Sequence, residues 1–393
     1  MWRGLILGVS LLFSLAAQSA DRLPGVELVL DDPDLTAAPL AAAAAPDGAL
    51  IVAAATSGQE QHPIILRIDP LGETKWKSVL TDRTAEGAAL TLAANAQGTV
   101  FIAVSDPAAA TLSRLDDKGK PVWTSKLTGH GDETIRALLA DDTGGVFVAS
   151  EATNLPQKTG GADMALLLYH YTADGKKLWE KVLNGGRFGA IRVMVARGKG
   201  ALMIGGDQWE NIGTGGKTEP VPFPWYATVS IADGAVINEI RLRDRPGRAI
   251  YGLSPADDGG LVLAIWDGLT SADGGRRNSA TEIVKFDQTG RVSWQADVDN
   301  GQFQSFPIGV AALEGGGVLA FGGDAQMWLV RYERSGRIES RRNEKSLGFA
   351  TASSFVTWPD GTAGLVGRTS ETSTSDAYPW VLRVTVGAKP VLR

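Results

Sequence analysis

Short runs of β-branched and apolar residues recur along the chain, each led in by a glycine-containing turn. Asp47-Gly48 precedes Leu50-Ile51-Val52, Gly98 precedes Val100-Phe101-Ile102, and Gly144-Gly145 precedes Val146-Phe147-Val148. Further turns stand at Gly200, Gly260, Gly317 and Gly361, so that seven turns follow one another at intervals of 44 to 60 residues. Glycine at such places supplies the positive φ that a hairpin turn requires. The pattern predicts seven units, each ordered as apolar strand, glycine turn, apolar strand, variable loop, strand, glycine turn, strand. Four strands of this length make one blade of a propeller.

A second pattern lies in the later turn of each unit. Asp69-Pro70-Leu71-Gly72 leads to Trp76, Asp116-Asp117-Lys118-Gly119 to Trp123, and Asp287-Gln288-Thr289-Gly290 to Trp294. Gly175 with Trp179 keeps the pattern without the first Asp. Recurrence at one position of the outermost strand assigns these tryptophans to the gap between neighbouring units rather than to sugar stacking. The expected fold is therefore all-β: a seven-bladed β-propeller of four-stranded antiparallel blades, in one domain over residues 21–393. Near the N-terminus, Val26-Glu27-Leu28-Val29-Leu30 reads as an outer strand without a blade of its own, and is expected to complete the last blade.

The stretch from Gly160-Gly161-Ala162-Asp163 through Tyr171, Gly175 and Leu178-Trp179 to Asn184-Gly185-Gly186 resembles the bacterial seven-bladed β-propeller repeat. The Asp–Gly–Trp signature is also similar to the tryptophan repeat of pyrroloquinoline quinone-dependent dehydrogenases. Both resemblances imply a scaffold, and neither implies an activity.

Composition narrows the setting. Residues 1–20 carry Arg3, an apolar stretch over residues 5–17 and small residues at Ala17-Gln18-Ser19-Ala20, as a secretory signal peptide does. With no cysteine for a lipid anchor or a disulfide, a periplasmic or secreted protein held together by core burial is expected. No later run is long enough for a membrane helix. The 38 basic and 44 acidic residues give a net charge of −6, which disfavours nucleic acid as a partner. A monomer that binds a protein or an envelope glycan is the expected form.

In a propeller the loops joining strand two to strand three open on the mouth of the central channel, and loops on a rigid scaffold carry function. Long ones are expected over residues 153–162, 208–224 and 268–280. The richest, with Trp209, Glu210, Phe223 and Trp225 around a glycine-rich centre, is either a contact surface or a loop folded onto its own blade. Together with Arg192, Arg248, Arg276 and Arg277 these form the expected ligand-binding set. Strand two ends on an acid in five units: Asp106, Glu151, Asp207, Asp267 and Asp324. Such a ring could hold a divalent cation or a cationic ligand; equally, each acid could cap its own loop or pair with Arg136 or Arg192. No other cofactor is indicated.

Catalytic motifs are sparse. His170 falls mid-strand as a structural residue, whereas His62 and His130 project to the mouth. The alternative to a non-catalytic binding protein is a lyase or hydrolase acting on a polysaccharide or lactone, using His130 with Asp132 or Glu133 and Arg136.

Overall fold

A computed structural model describes residues 25–29, 41–56, 62–80, 88–106, 109–155, 164–183, 188–214, 217–268, 280–298, 306–323, 327–344, 349–358, 362–370 and 377–385. Among these residues the regular elements are strands, arranged in seven antiparallel sheets of four. Sheets one to six span residues 41–79, 89–127, 132–183, 189–241, 248–297 and 307–344, and in each the strands follow one another in chain order. Sheet seven spans residues 349–385 and takes its fourth strand from Gly25–Val29, which pairs with Ala377–Thr385 so that Gly25 stands opposite Val384. The first strand of each sheet packs against the first strand of the next, and Phe349–Thr357 packs back against Ala41–Ala44. The chain is an all-β propeller of four-stranded antiparallel blades.

The core lies between the sheets. Second and third strands are covered on both faces, so Leu50–Ala55 is buried along its whole length, as expected for a strand flanked by two packed layers. Fourth strands alternate between exposed and half-buried residues, as in Thr74–Val79. Between sheets two and three, Phe101, Leu112 and Leu127 meet Ile135, Val148, Leu167 and Tyr169.

The Asp–Gly–Trp signature builds a joint between neighbouring sheets. Asp116 Oδ1 accepts the N–H groups of Lys118 and Lys120 at 2.9 and 2.8 Å, which closes the turn, and Gly119 takes φ +77°. Asp69 and Asp287 close their turns in the same way. The glycine then seats the tryptophan of the preceding sheet: a Cβ on Gly119 would lie 2.5 Å from the Trp76 ring. Gly175, Gly234 and Gly336 do the same for Trp123, Trp179 and Trp294, at 2.9, 2.9 and 2.7 Å. Trp123 Nε1 also donates to the Ala173 carbonyl at 2.9 Å. The expected gap-filling role is thus specific, with a ring over a glycine at the four joints that Trp76, Trp123, Trp179 and Trp294 serve.

Two features depart from the expected regularity. The segment 208–224 is not a loop. It belongs to a hairpin of two 14-residue strands, Ala201–Thr214 and Lys217–Ser230, whose register runs unbroken from Ala201 opposite Ser230 to Thr214 opposite Lys217. First strands three to seven each carry a β-bulge, between Ile135 and Ala137, Ile191 and Val193, Ile250 and Gly252, Pro307 and Gly309, and Ala352 and Ser354. The unpaired residues are therefore Arg136, Arg192, Tyr251, Ile308 and Ser353, and a bulge re-aims the side chain it carries.

Candidate binding face at the channel mouth

The bulges explain how the mouth is furnished. Arg136 Nε donates to Glu151 Oε2 at 2.8 Å, and Arg192 Nε donates to Asp207 Oδ1 at 2.8 Å. Both pairs join a bulged arginine to an acid on strand two of its own sheet, although neither acid ends its strand as expected: Glu151 lies within Val146–Thr153 and Asp207 midway along Ala201–Thr214. Glu151 Oε1 also accepts the Ile191 N–H of sheet four at 2.8 Å, which ties two sheets together. Asp207 is fully buried and takes a second bond from Trp209 Nε1 at 2.7 Å. Burial pushes its carboxyl above the ordinary value, and the Arg192 guanidinium offsets only part of that rise. Arg192 lies 4.3 Å from the centre of the Tyr251 ring. Tyr251 packs edge-on with Trp266 and Phe306 at 5.7 and 4.6 Å.

The other acids are likewise committed. Asp106 Oδ1 accepts the Ala109 N–H at 2.8 Å and so caps its own turn. Asp267 pairs with Arg248 at 3.0 Å, and Arg248 shares Glu282 with Arg245. Asp324, Arg276 and Arg277 lie outside the described residues. Among the described residues no group of three or more His, Cys, Asp or Glu side chains converges as a metal site.

Two of the expected contact residues are interior ones. Trp225 is fully buried with its Nε1 donating to Glu239 at 2.9 Å, and Phe223 is 4% exposed. Trp209 and Glu210 do stand at the mouth. The Trp209 ring meets exposed Phe188 edge-on at 5.8 Å, and Glu210 pairs with Arg241 and Arg243. These contacts pin the base of the hairpin.

The expected catalytic pairing is not formed. His130 bonds to Glu180 on the fourth strand of sheet three, and Lys177 holds the same glutamate. Asp132 accepts from Asn154 Nδ2 at 2.7 Å. Glu133 is buried, and its Oε2 accepts the hydroxyls of Tyr169 and Ser150 at 2.8 and 3.0 Å. Arg136 is held by Glu151. The His62 backbone pairs with Thr56 at 2.9 Å. His170 bonds to Asp141 at 2.8 Å and stacks on Phe147, a structural setting.

The hairpin gives the mouth its most distinctive shape. Six residue pairs, from Trp209 opposite Pro222 to Thr214 opposite Lys217, extend beyond the first strand of the sheet, which pairs no further than Gln208. At about 3.4 Å per residue the projection reaches roughly 17–20 Å. Its two edges differ. The Pro222 and Pro224 carbonyls accept bonds from Gly247 and Leu242 at 2.9 Å, so the prolines face away from the partner strand. Pro220 shares that side by the pleat, and three prolines leave it with no N–H at those positions. On the opposite strand the Trp209 N–H points outward, to the Phe188 carbonyl at 2.9 Å. Alternation places the N–H and C=O of Asn211 and Gly213 on that same outer edge. Prolines at every second position, Pro220, Pro222 and Pro224, are a sequence sign of an edge strand rather than of the expected loop. Phe188, Trp266, Phe306 and Glu180 carry no sequence signal of comparable strength. The central channel itself, about 560 Å³, is walled by small residues such as Ala42, Ala94, Ala196 and Ser254.

No protein-family model matches this chain, and no curated protein matches it. Among solved structures it is similar to YCF48 bound to D1 peptide, at 12% identity and a TM-score of 0.57, over 93% of this chain and 96% of that one. It is also similar to a puromycin hydrolase, at 13% identity and a TM-score of 0.54, over 92% of this chain and 56% of that one. A protein of unknown function from Bacteroides caccae aligns at 15% identity and a TM-score of 0.40, over 68% of this chain and 84% of that one. With the sheets described above, the likeness to the first of these structures shows the class, the β-propellers, by fold alone.

Proposed function

We propose that this chain is an exported propeller that binds an extended protein segment at the mouth, by strand addition to the open edge of the projecting hairpin. The observation that carries this reading is the asymmetry of the hairpin, with prolines closing one edge while Asn211 and Gly213 leave backbone donors and acceptors on the other. An edge of that kind takes up an extended peptide through main-chain bonds, and nearby side chains supply selectivity. Phe188, Trp209 and Ile212 are the apolar candidates beside it. YCF48, a propeller of similar fold, was solved with a peptide bound, in keeping with this reading.

Asn211→Pro tests it, because Asn211 faces Pro220 in a pair whose only N–H, that of Asn211, points outward. Peptides selected from a random display library against the wild-type protein should bind the variant at least about tenfold more weakly, with melting little changed. Methylating alternate backbone nitrogens of the peptide should have a similar effect. Unaltered affinity in both cases rejects strand addition.

The seven sheets are read as one ring, with Gly25–Val29 as the strand that shuts it. Its pairing with Ala377–Thr385 supports that role. Removing residues 21–32 should lower the melting temperature sharply, and an unchanged transition rejects the closure.

A further inference from the structure

A cavity of about 240 Å³ opens on the mouth between sheets two and three, away from the hairpin. Asp106, Ala109, Ala110, Lys126 and Leu127 line it from sheet two, and Gly129, Gly131, Asp132 and Glu133 from the segment entering sheet three. Glu133 is 6% exposed. It stands opposite Ala152 in the strand pairing, on the face of sheet three packed against sheet two. Its Oε2 is satisfied by Tyr169 and Ser150, whereas its Oε1 is buried without a hydrogen-bond partner. Both donors to Glu133 are neutral hydroxyls. A buried carboxylate supported only by neutral donors, with one oxygen unpaired, is costly unless a cation or donor completes it. The Tyr169 hydroxyl is pushed upward by burial and by the same carboxylate, so it stays a donor.

From this arrangement we infer a binding site for a primary alkylammonium group, with Glu133 Oε1 as its principal acceptor and the carboxylates of Asp106 and Asp132 around the entrance. An ammonium's compact charge suits the single deep oxygen of Glu133, and its remaining donors can stay with water near Asp106 and Asp132 at the entrance. The space exceeds what a bare ion needs: each water occupies about 30 Å³ of the liquid, so several methylenes fit behind the charged head. Metal binding is the weaker match, since no three such ligands converge among the described residues. Ala110 and Leu127 supply apolar wall for the methylenes. Gly131, at φ +82°, lets the lining segment pack against the next strand, where a Cβ would strike the Thr153 carbonyl at 2.2 Å. The ammonium could belong to a free amine or to a lysine side chain of a bound protein, and the chemistry at Glu133 is the same.

The test follows the backbone amide resonances of Gly129 and Gly131 in the full-length protein. The probes are n-butylammonium and Nα-acetyl-lysine methylamide, with Nα-acetyl-norleucine methylamide as the uncharged control. Saturable shifts with either charged probe and none with the control support the site. Response to the lysine probe alone points to a protein-borne side chain, and response to butylammonium alone to a free amine. Glu133→Gln, which keeps acceptors for Tyr169 and Ser150, should weaken binding at least tenfold. Should that variant fold poorly, Ala109→Phe plugs the entrance without altering the carboxylate and should abolish the response. Silence at both glycines up to about 50 mM of either charged probe, equal binding by the norleucine control, or undiminished affinity in the variants overturns the assignment.

Discussion

The two ends of the propeller use the same repeat in opposite ways. At the end bearing the Asp–Gly turns, like positions hold like residues: Asp69, Asp116 and Asp287 close their turns alike, and each following joint is a ring over a glycine. At the mouth, like positions hold unlike residues. The bulged site is Arg136, Arg192, Tyr251, Ile308 and Ser353 in successive sheets. Uniform chemistry maintains the geometry at one end, which frees the other to vary while its backbone stays in place.

The comparison is broken most forcefully at the hairpin root. Trp225 stands below the projecting part of the hairpin, opposite Gly206, and is an interior residue, so Trp225→Ala should cost about 3–5 kcal/mol in chemical denaturation. A stable variant with impaired ligand binding would instead make Trp225 a contact residue. Next in size is Arg192→Met, which strands Asp207 in a fully buried position. Breaking a buried pair from one side costs about 3 kcal/mol. The double variant Arg192→Met/Asp207→Asn should recover part of that loss, and failure to recover would show that the arginine acts through packing on Tyr251 instead.

The smallest effect is also the sharpest contrast, because acids at the two ends should titrate with opposite sign. The Lys120 and Lys118 N–H groups hold Asp116 below the ordinary carboxylate value, against slight desolvation. Its contribution to stability is therefore present above the ordinary value and is lost as pH falls through the depressed one. Asp207 is held above the ordinary value, chiefly by burial. Its ionisation burdens the fold at neutral pH, and that burden is relieved as pH falls through the raised value toward the ordinary one. Stability differences from wild type, followed against pH for Asp116→Asn and Asp207→Asn, should slope in opposite directions. Parallel slopes would remove the distinction.

Strand order and the tryptophan joints were legible because each depends on residues close in sequence: a turn glycine, an Asp two and four residues before the amides it accepts, a ring four residues after the glycine. The features missed depend on register between strands. Arg136 and Arg192 sit on bulges, and nothing local in the sequence says that the backbone bulges there. His130 was matched with Asp132 and Glu133, its neighbours in the chain, whereas folding delivers Glu180 to it. Phe223 and Trp225 are expected in a loop that is either a contact surface or folded onto its own blade, whereas they belong to the strand Lys217–Ser230. The pairing that buries those two residues is settled by the partner strand, from Asp207 opposite Pro224 onward.

Not every joint carries a ring: sheet six has Ser340 opposite Arg331 at that place, and the ringless joint of sheet four adjoins the hairpin. Sheet four carries Asn238, opposite Thr228, at the place where Trp76, Trp123, Trp179 and Trp294 face their own partners. The glycine that would receive a ring from it, Gly290, has nothing within 4 Å of where its Cβ would stand. Without that clasp, the outer margin of sheet four is expected to swing more freely against sheet five than the ring-bearing joints allow. Amide hydrogen exchange along Val236–Arg241 should then outpace that along Lys177–Leu183. Because sheet four also carries the projecting hairpin, that slack at the far end would become reach at the mouth.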